Sequence, residues 1–181
     1  MSRIVPLPTT NTVVDNTVAL IGADGLVASF GGYVSSATFT PAAAAYAAND
    51  IMEGAKTFSL IGPSTGGAIL ITNTRLRVDD SAVQSGETSY TLHLYTVTPP
   101  SALADNAAWN LPSGDRASYV GSIALGTVVD VGDTLYVEQT GLTKQIVVPA
   151  GGSLFGYLVT NGAFTVTVPA ARVVTLMALS A

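Results

Sequence analysis

The sequence predicts an all-β fold: an antiparallel sandwich or barrel of about 8–10 short strands. Three observations predict it. Apolar and polar residues alternate over short runs. The clearest is 88–96 (TSYTLHLYT), where Tyr90, Leu92 and Leu94 share one face and Thr91, His93 and Tyr95 the other. Turn-forming Gly, Pro, Asn and Asp interrupt such runs about every 8–12 residues. The 21 Val and 22 Thr are β-branched and suit a pleated, half-buried surface.

Residues 1–32 differ from the rest. Ile4, Val5 and Leu7 sit among Pro6, Pro8, Thr9 and Thr10, and proline blocks ladder bonding while holding the backbone extended. Residues 13–20 read as a strand with a turn at Asp15-Asn16, and Gly22, Gly25, Gly31 and Gly32 follow. This is an extended N-terminal arm with one or two short strands, preceding a single sandwich domain at 33–181. An arm of this kind reaches onto a neighbour in an oligomer. The alternative is a hairpin packed on its own domain.

Beyond the arm, strands and turns alternate. Residues 34–40 form a strand ending at Pro41. Residues 41–48 (PAAAAYAA) have high helix propensity, with Thr40 as a candidate N-cap and Pro41 at the first helical position. Residues 56–61 are a short strand closed by Gly62-Pro63. The long strand 68–78 (AILITNTRLRV) changes apolar parity between Ile71 and Leu76, which predicts a bulge near Asn73. The longest break, 98–118, predicts helical turns at 101–105 and near 113–117 and carries the single tryptophan, Trp109. A long insertion bearing a Trp is a candidate contact surface; alternatively Trp109 caps one end of the core. Strand 119–125 follows. Residues 134–138 and 144–148 flank a Gly-containing loop and predict a hairpin. Residues 154–159, 163–168 and 171–179 complete the set, with a turn at Asn161-Gly162.

Composition narrows the function. The 181 residues are the size of one domain and can bury a core without staples. With no cysteine and one histidine, disulfides, thiolate chemistry and multi-His metal centres are excluded. Seven basic against twelve acidic residues give a net charge of −5, which argues against nucleic acid and anionic membranes as partners. Mean hydropathy is +0.46, yet no run of about 20 apolar residues is present, and the amino terminus does not read as a signal peptide. The expectation is a soluble protein made in the cytoplasm and not secreted. Charged residues are 10% of the chain, against about 25% for ordinary soluble domains. Its exterior is therefore Ser, Thr, Asn, Gly and Ala, weakly solvated and suited to being covered by other subunits.

No catalytic constellation emerges. His93 lies opposite in parity to Tyr90, Leu92 and Leu94, so it is expected to face solvent or a neighbour. No serine occupies a nucleophile-elbow context. Asp79-Asp80 and Asp130/Asp133 read as solvated turns without calcium-loop spacing. Gly62, Gly66 and Gly67 mark a turn and lack the lysine of a phosphate loop. Arg75 and Arg77 share one face of the long strand. They pair with Glu87, with Asp79 or with an acidic neighbour, or else anchor the chain on an acidic partner.

The succession Tyr46-Ala47-Ala48-Asn49-Asp50-Ile51, Lys56-Thr57-Phe58-Ser59-Leu60-Ile61, Thr91-Leu92-His93-Leu94-Tyr95, Thr98-Pro99-Pro100, Asp105-Asn106-Ala107-Ala108-Trp109 and Tyr119-Val120-Gly121-Ser122-Ile123 resembles virion structural proteins of tailed bacteriophages, most of all capsid decoration (cement) proteins. The resemblance covers about 40–181. It implies a jelly-roll-like antiparallel β-sandwich, with 44–51 extended rather than helical. It also implies no cofactor, no enzymatic activity, and a homotrimer on the capsid exterior whose partner is the major capsid protein or another virion protein. Candidate interaction residues are Ile4, Val5, Leu7, Arg75, Arg77 and Trp109. Three alternatives stay open. The first is a tail, baseplate or fibre component. The second is a carbohydrate-binding sandwich using Tyr95, Trp109 and Tyr119. The third is a hydrolase.

Overall fold

The computed structural model describes residues 17–21 and 27–181. Thirteen strands run in order: β1 (Thr17–Ile21), β2 (Val27–Phe39), β3 (Ala45–Tyr46), β4 (Lys56–Phe58), β5 (Gly67–Val78), β6 (Ser89–Tyr95), β7 (Tyr119–Thr127), β8 (Val129–Asp130), β9 (Leu135–Gln139), β10 (Lys144–Val148), β11 (Leu154–Thr160), β12 (Phe164–Thr165) and β13 (Arg172–Ser180). A single 3₁₀ turn at Ser113–Asp115 is the only helical element among the described residues.

The larger sheet has the order β1-β2-β13-β5, with β9 and β10 both on the far edge of β5 and β8 outside β9. The smaller sheet has the order β4-β11-β6-β7. Eight strand positions follow one another in the chain: β2, β4, β5, β6, β7, the β9/β10 pair, β11 and β13. Numbered one to eight, they give sheet orders 1-8-3-6 and 2-7-4-5. That interleaving is the jelly roll. The core fills the space between the sheets. Phe39, Leu76, Val174 and Leu176 from the larger sheet meet Phe58, Leu92, Leu94, Ile123 and Leu158 from the smaller. Each fully buried side chain of this kind stabilises the fold by about 1.5–3 kcal/mol before entropy is subtracted.

The parity break in β5 is a bulge. Met177 of β13 pairs with Asn73 and Ala178 with Ile71, so Thr72 is the extra residue. One residue more lets Ile69 and Ile71 before it, and Leu76 and Val78 after it, all point into the core. The bulge also reorganises the sheet edge. β10 pairs with Gly67–Ile71, β9 pairs with Thr74–Val78, and the amide of Leu142 donates to the Thr72 carbonyl (2.8 Å) between them. The hairpin expected at 134–148 is therefore absent. Its two strands lie end to end along β5 and do not pair with each other. The turn at Asn161-Gly162 likewise joins strands that do not pair, since β12 pairs with β3.

The alanine-rich segment is not helical: it bends at 43–44, forms the short strand β3 at Ala45–Tyr46 and turns at 48–49, whereas propensity predicts a helix and the resemblance an extended stretch. Its amides, and that of Asn49 just after it, are taken by side chains and by distant backbone. Ala42 N donates to Asp105 Oδ2 (2.9 Å), Ala47 N to Asp50 Oδ2 (2.6 Å) and Asn49 N to the Thr160 carbonyl (2.8 Å). Tyr46 lies in the ladder opposite Phe164. These bonds replace the i→i−4 bonds a helix would make. The strand expected at 56–61 ends at Phe58, where the chain turns and Leu60 takes φ +54°.

The proposed boundary at 32/33 falls inside β2, whose residues 32–39 pair with β13 while 27–31 pair with β1. Ile4, Val5 and Leu7 lie outside the described residues. Among those described, no helix is long and apolar enough to cross a membrane.

Candidate interaction surface

The outer face of the smaller sheet is covered by the chain itself. β6 and β11 turn Tyr95, Tyr157 and Val159 outward, and these form a second buried cluster with Ile51. Leu103, Trp109, Leu111 and Tyr119 pack over it from 97–118 and the start of β7. Backbone bonds hold this cover in place: Trp109 N to Asn49 O (2.8 Å), Ile51 N to Ala107 O (2.9 Å) and Thr96 N to Ser118 O (2.9 Å). The Tyr157 hydroxyl accepts from Leu103 N and donates to Ser101 O, both at 3.1 Å. Burial pushes the Tyr95 phenol up to about 12. The helical turn expected at 101–105 is irregular backbone, whereas that near 113–117 is the 3₁₀ turn.

This cover corrects the expectation for His93, which faces neither solvent nor a neighbour. It is 8% exposed, its ring stacks on Trp109 at 3.6 Å, and Nδ1 lies 3.0 Å from the Tyr119 hydroxyl. Parity alone assumed that the second face of the sheet was wet. Burial pulls the His93 pKa from 6.5 down to about 4. The unfolded chain therefore binds a proton near pH 6.5 that the folded chain refuses until about pH 4. Stability is present above pH 6.5 and is lost as pH falls toward 4. Allowing for screening at the ring's solvated edge, the loss is on the order of 2 kcal/mol. Urea unfolding at pH 7 and pH 4 should show a steeper loss for the wild type than for His93→Gln; equal losses would refute the assignment.

The fold also brings together a buried charge cluster. Arg172 is fully buried on the core side of β13. Its Nε donates to the Tyr90 hydroxyl (3.0 Å), Nη1 to the Ala170 carbonyl (3.0 Å) and Nη2 to Glu87 (3.5 Å). Tyr90 in turn donates to Glu87. Burial raises the Tyr90 pKa, so the phenol stays protonated and able to donate. Gly86, at φ +90°, sets up this corner; a Cβ there would overlap the Ala163 carbonyl. One signal was visible in the sequence: Arg172 shares parity with Val174, Leu176 and Ala178. Glu87 is thus committed to Arg172 and does not pair with Arg75 or Arg77.

No family model and no curated protein matches the chain. Among solved structures, it is similar to the Cyanophage Pam1 capsid asymmetric unit, at 18% identity over 84% of this chain and 85% of that one, with a TM-score of 0.35. It is similar to Desmodium yellow mottle tymovirus at 12% identity, over 100% and 95%, with a TM-score of 0.29. It is similar to an adhesin domain of Lys-gingipain from Porphyromonas gingivalis at 11% identity, over 90% and 78%, with a TM-score of 0.27. These superpositions are loose, and the jelly-roll assignment rests on the strand order above.

Among the described residues, nothing covers the larger sheet in the same way. Across the outer face of β2, β13, β5 and β10 run Val34 (67% exposed), Leu179 (43%) and Val147 (69%). Farther along β5 the same face carries Arg75, half-buried, and Arg77, exposed. Both line a cleft of about 440 Å³ with Ser36, Tyr136, Val173 and Thr175. The two ion pairs among the described residues, Lys56–Glu53 and Arg172–Glu87, involve neither arginine. The acidic turns are local structures. Asp80 accepts from Gln84 Nε2 (2.9 Å), and Asp130 Oδ1 accepts from Gly132 N (2.8 Å). Among the described residues no group of three or more His, Asp or Glu is placed to hold a metal.

Proposed function

We propose that this chain is a structural component of a virion, a decoration (cement) protein that binds the assembled capsid from outside as a homotrimer. The observation that carries the reading is the asymmetry of the two sheets. One outer face is closed by the chain's own insertion. The other, among the described residues, is open: it exposes Val34, Val147 and Leu179 and carries Arg75 and Arg77. A jelly roll serves capsid and lectin domains alike, so the surface has to distinguish them. The aromatics a sugar site would use support the first. Tyr95 is fully buried, and Trp109 is stacked on His93.

The mechanism is linkage. A protein that binds the assembled lattice and not the free subunit stabilises assembly, by about 2.7 kcal/mol per site at one hundred times the dissociation constant. Residues 1–32, carrying Ile4, Val5 and Leu7, add a second attachment whose effect multiplies the first. Neither nucleic acid nor membrane takes part.

The test is to add purified chain to particles assembled without it. The chain should co-sediment with the particles and raise their resistance to heat. In solution, light scattering should give a mass near three times 18.4 kDa. Deleting residues 1–22 should weaken retention on particles. Failure of the intact chain to co-sediment would overturn the reading, and unchanged retention after the deletion would remove the arm from it.

A further inference from the structure

We infer that the Arg75–Arg77 cleft is a carboxylate-binding site that takes an acidic segment of a neighbouring protein subunit. The inference deepens the proposed function and rests on it for the identity of the neighbour, though not for the chemistry.

The cleft is built from two rows across four strands. Ser36, Thr175, Arg75 and Glu138 stand side by side in one row, and Thr38, Val173, Arg77 and Tyr136 in the next. Residues two apart on a strand point to the same face, so both guanidinium groups rise from one floor. That floor is hydroxylic. Ser36 Oγ and Thr175 Oγ1 are bonded to each other at 2.8 Å. The Tyr136 hydroxyl donates to Glu138 Oε2 (3.1 Å), which occupies the one carboxylate in the rows. Two guanidinium forks against one engaged carboxylate leave the site short of acceptors. The charged side chains lining the cleft itself are the two arginines.

A planar fork of N–H donors matches a carboxylate through two parallel bonds. Two forks on one sheet face suit a segment with two or more Asp or Glu residues. A polynucleotide fits less well. The chain carries a net charge of −5, which repels a long polyanion, and two arginines neutralise too few phosphates to offset that. The exposed Val34, Val147 and Leu179 on the same face supply apolar contact that a protein segment can use.

The probe is a capped hexa-aspartate peptide titrated into isotope-labelled full-length chain, followed by NMR at low and physiological salt. The Arg75 and Arg77 Nε signals should shift, together with amides of Ser36, Tyr136 and Thr175. Added salt should weaken binding. In the double variant Arg75→Gln/Arg77→Gln the affinity should fall about tenfold, with the thermal midpoint unchanged because both residues lie on the surface. Arg75→Lys/Arg77→Lys should fall in between, since charge remains and the fork is lost. Absence of shifts, equal binding by the double variant, or tighter binding of a short single-stranded DNA would each overturn the inference. Particle co-sedimentation separates the two claims. If the wild type and the Gln double variant are retained equally, the cleft is refuted and the virion role stands. If neither is retained while the peptide still binds only the wild type, the cleft stands and the virion role falls.

Discussion

Glu87→Ala should destabilise the fold by about 3–5 kcal/mol, which for a domain of this size is a fall of roughly 6–20 °C in thermal midpoint. The cause is the guanidinium left behind. Arg172 is fully buried, and Glu87 is the carboxylate that faces it. Removing that carboxylate strands a charge in the interior and takes away the acceptor of the Tyr90 hydroxyl. Replacing the whole cluster should cost far less. Arg172→Met, Glu87→Leu and Tyr90→Phe together leave no orphaned polar side chain, and apolar replacements of buried ion pairs are often neutral or stabilising. Urea unfolding of the single and triple variants checks both claims. A loss below about 1 kcal/mol for Glu87→Ala would mean that water reaches the pair.

Trp109→Ala should cost about 3 kcal/mol, the lower end of the range for a large aromatic because the indole is only half-buried. Its ring covers His93 and leans on Tyr119, with centroids 6.1 Å apart, so its loss opens the second cluster to water. Near-ultraviolet circular dichroism should lose signal from Tyr95, Tyr119 and Tyr157, and hydrogen exchange should quicken in 97–118 before it does in the core strands. The same variant separates the two roles open to Trp109. A stability loss with particle binding retained identifies a cap on the second cluster. Unchanged stability with particle binding lost identifies a contact residue instead.

The β character, the strand positions and the bulge in β5 were legible because each is a local property. Alternation along 88–96 marks a half-buried strand wherever it is placed. The parity break between Ile71 and Leu76 demands an extra residue, and the structure puts it at Thr72, one position from the expected Asn73. Local reading failed where a residue's environment is made by distant chain. Parity along β6 predicts an outward His93, because one strand cannot report that 97–118 folds over it. Residues 134–148 were expected to pair as a hairpin because the turn residues are right for one; the bulge in β5 instead offers two separate stretches of edge, and each strand takes one. The Ala-rich 41–48 has the composition of a helix, but the Ala42 amide is claimed by Asp105, 63 residues on, the Ala47 amide by Asp50, and the amide of the following Asn49 by the Thr160 carbonyl.

The same division holds for the surface. Absence of cysteine, a single histidine, few charges and a net charge of −5 are facts of composition, and they narrow the chemistry open to the chain before any fold is known. That Arg75 and Arg77 share a face follows from the two-residue period of a strand. That this face is the open one among the described residues, with Glu87 withdrawn to Arg172, is decided by the packing of strands far apart in the chain. Composition and periodicity are carried by each segment alone; which sheet face is covered, and which carboxylate meets which arginine, depends on contacts between distant segments, 85 residues apart for Arg172 and Glu87 and 139 for Ser36 and Thr175.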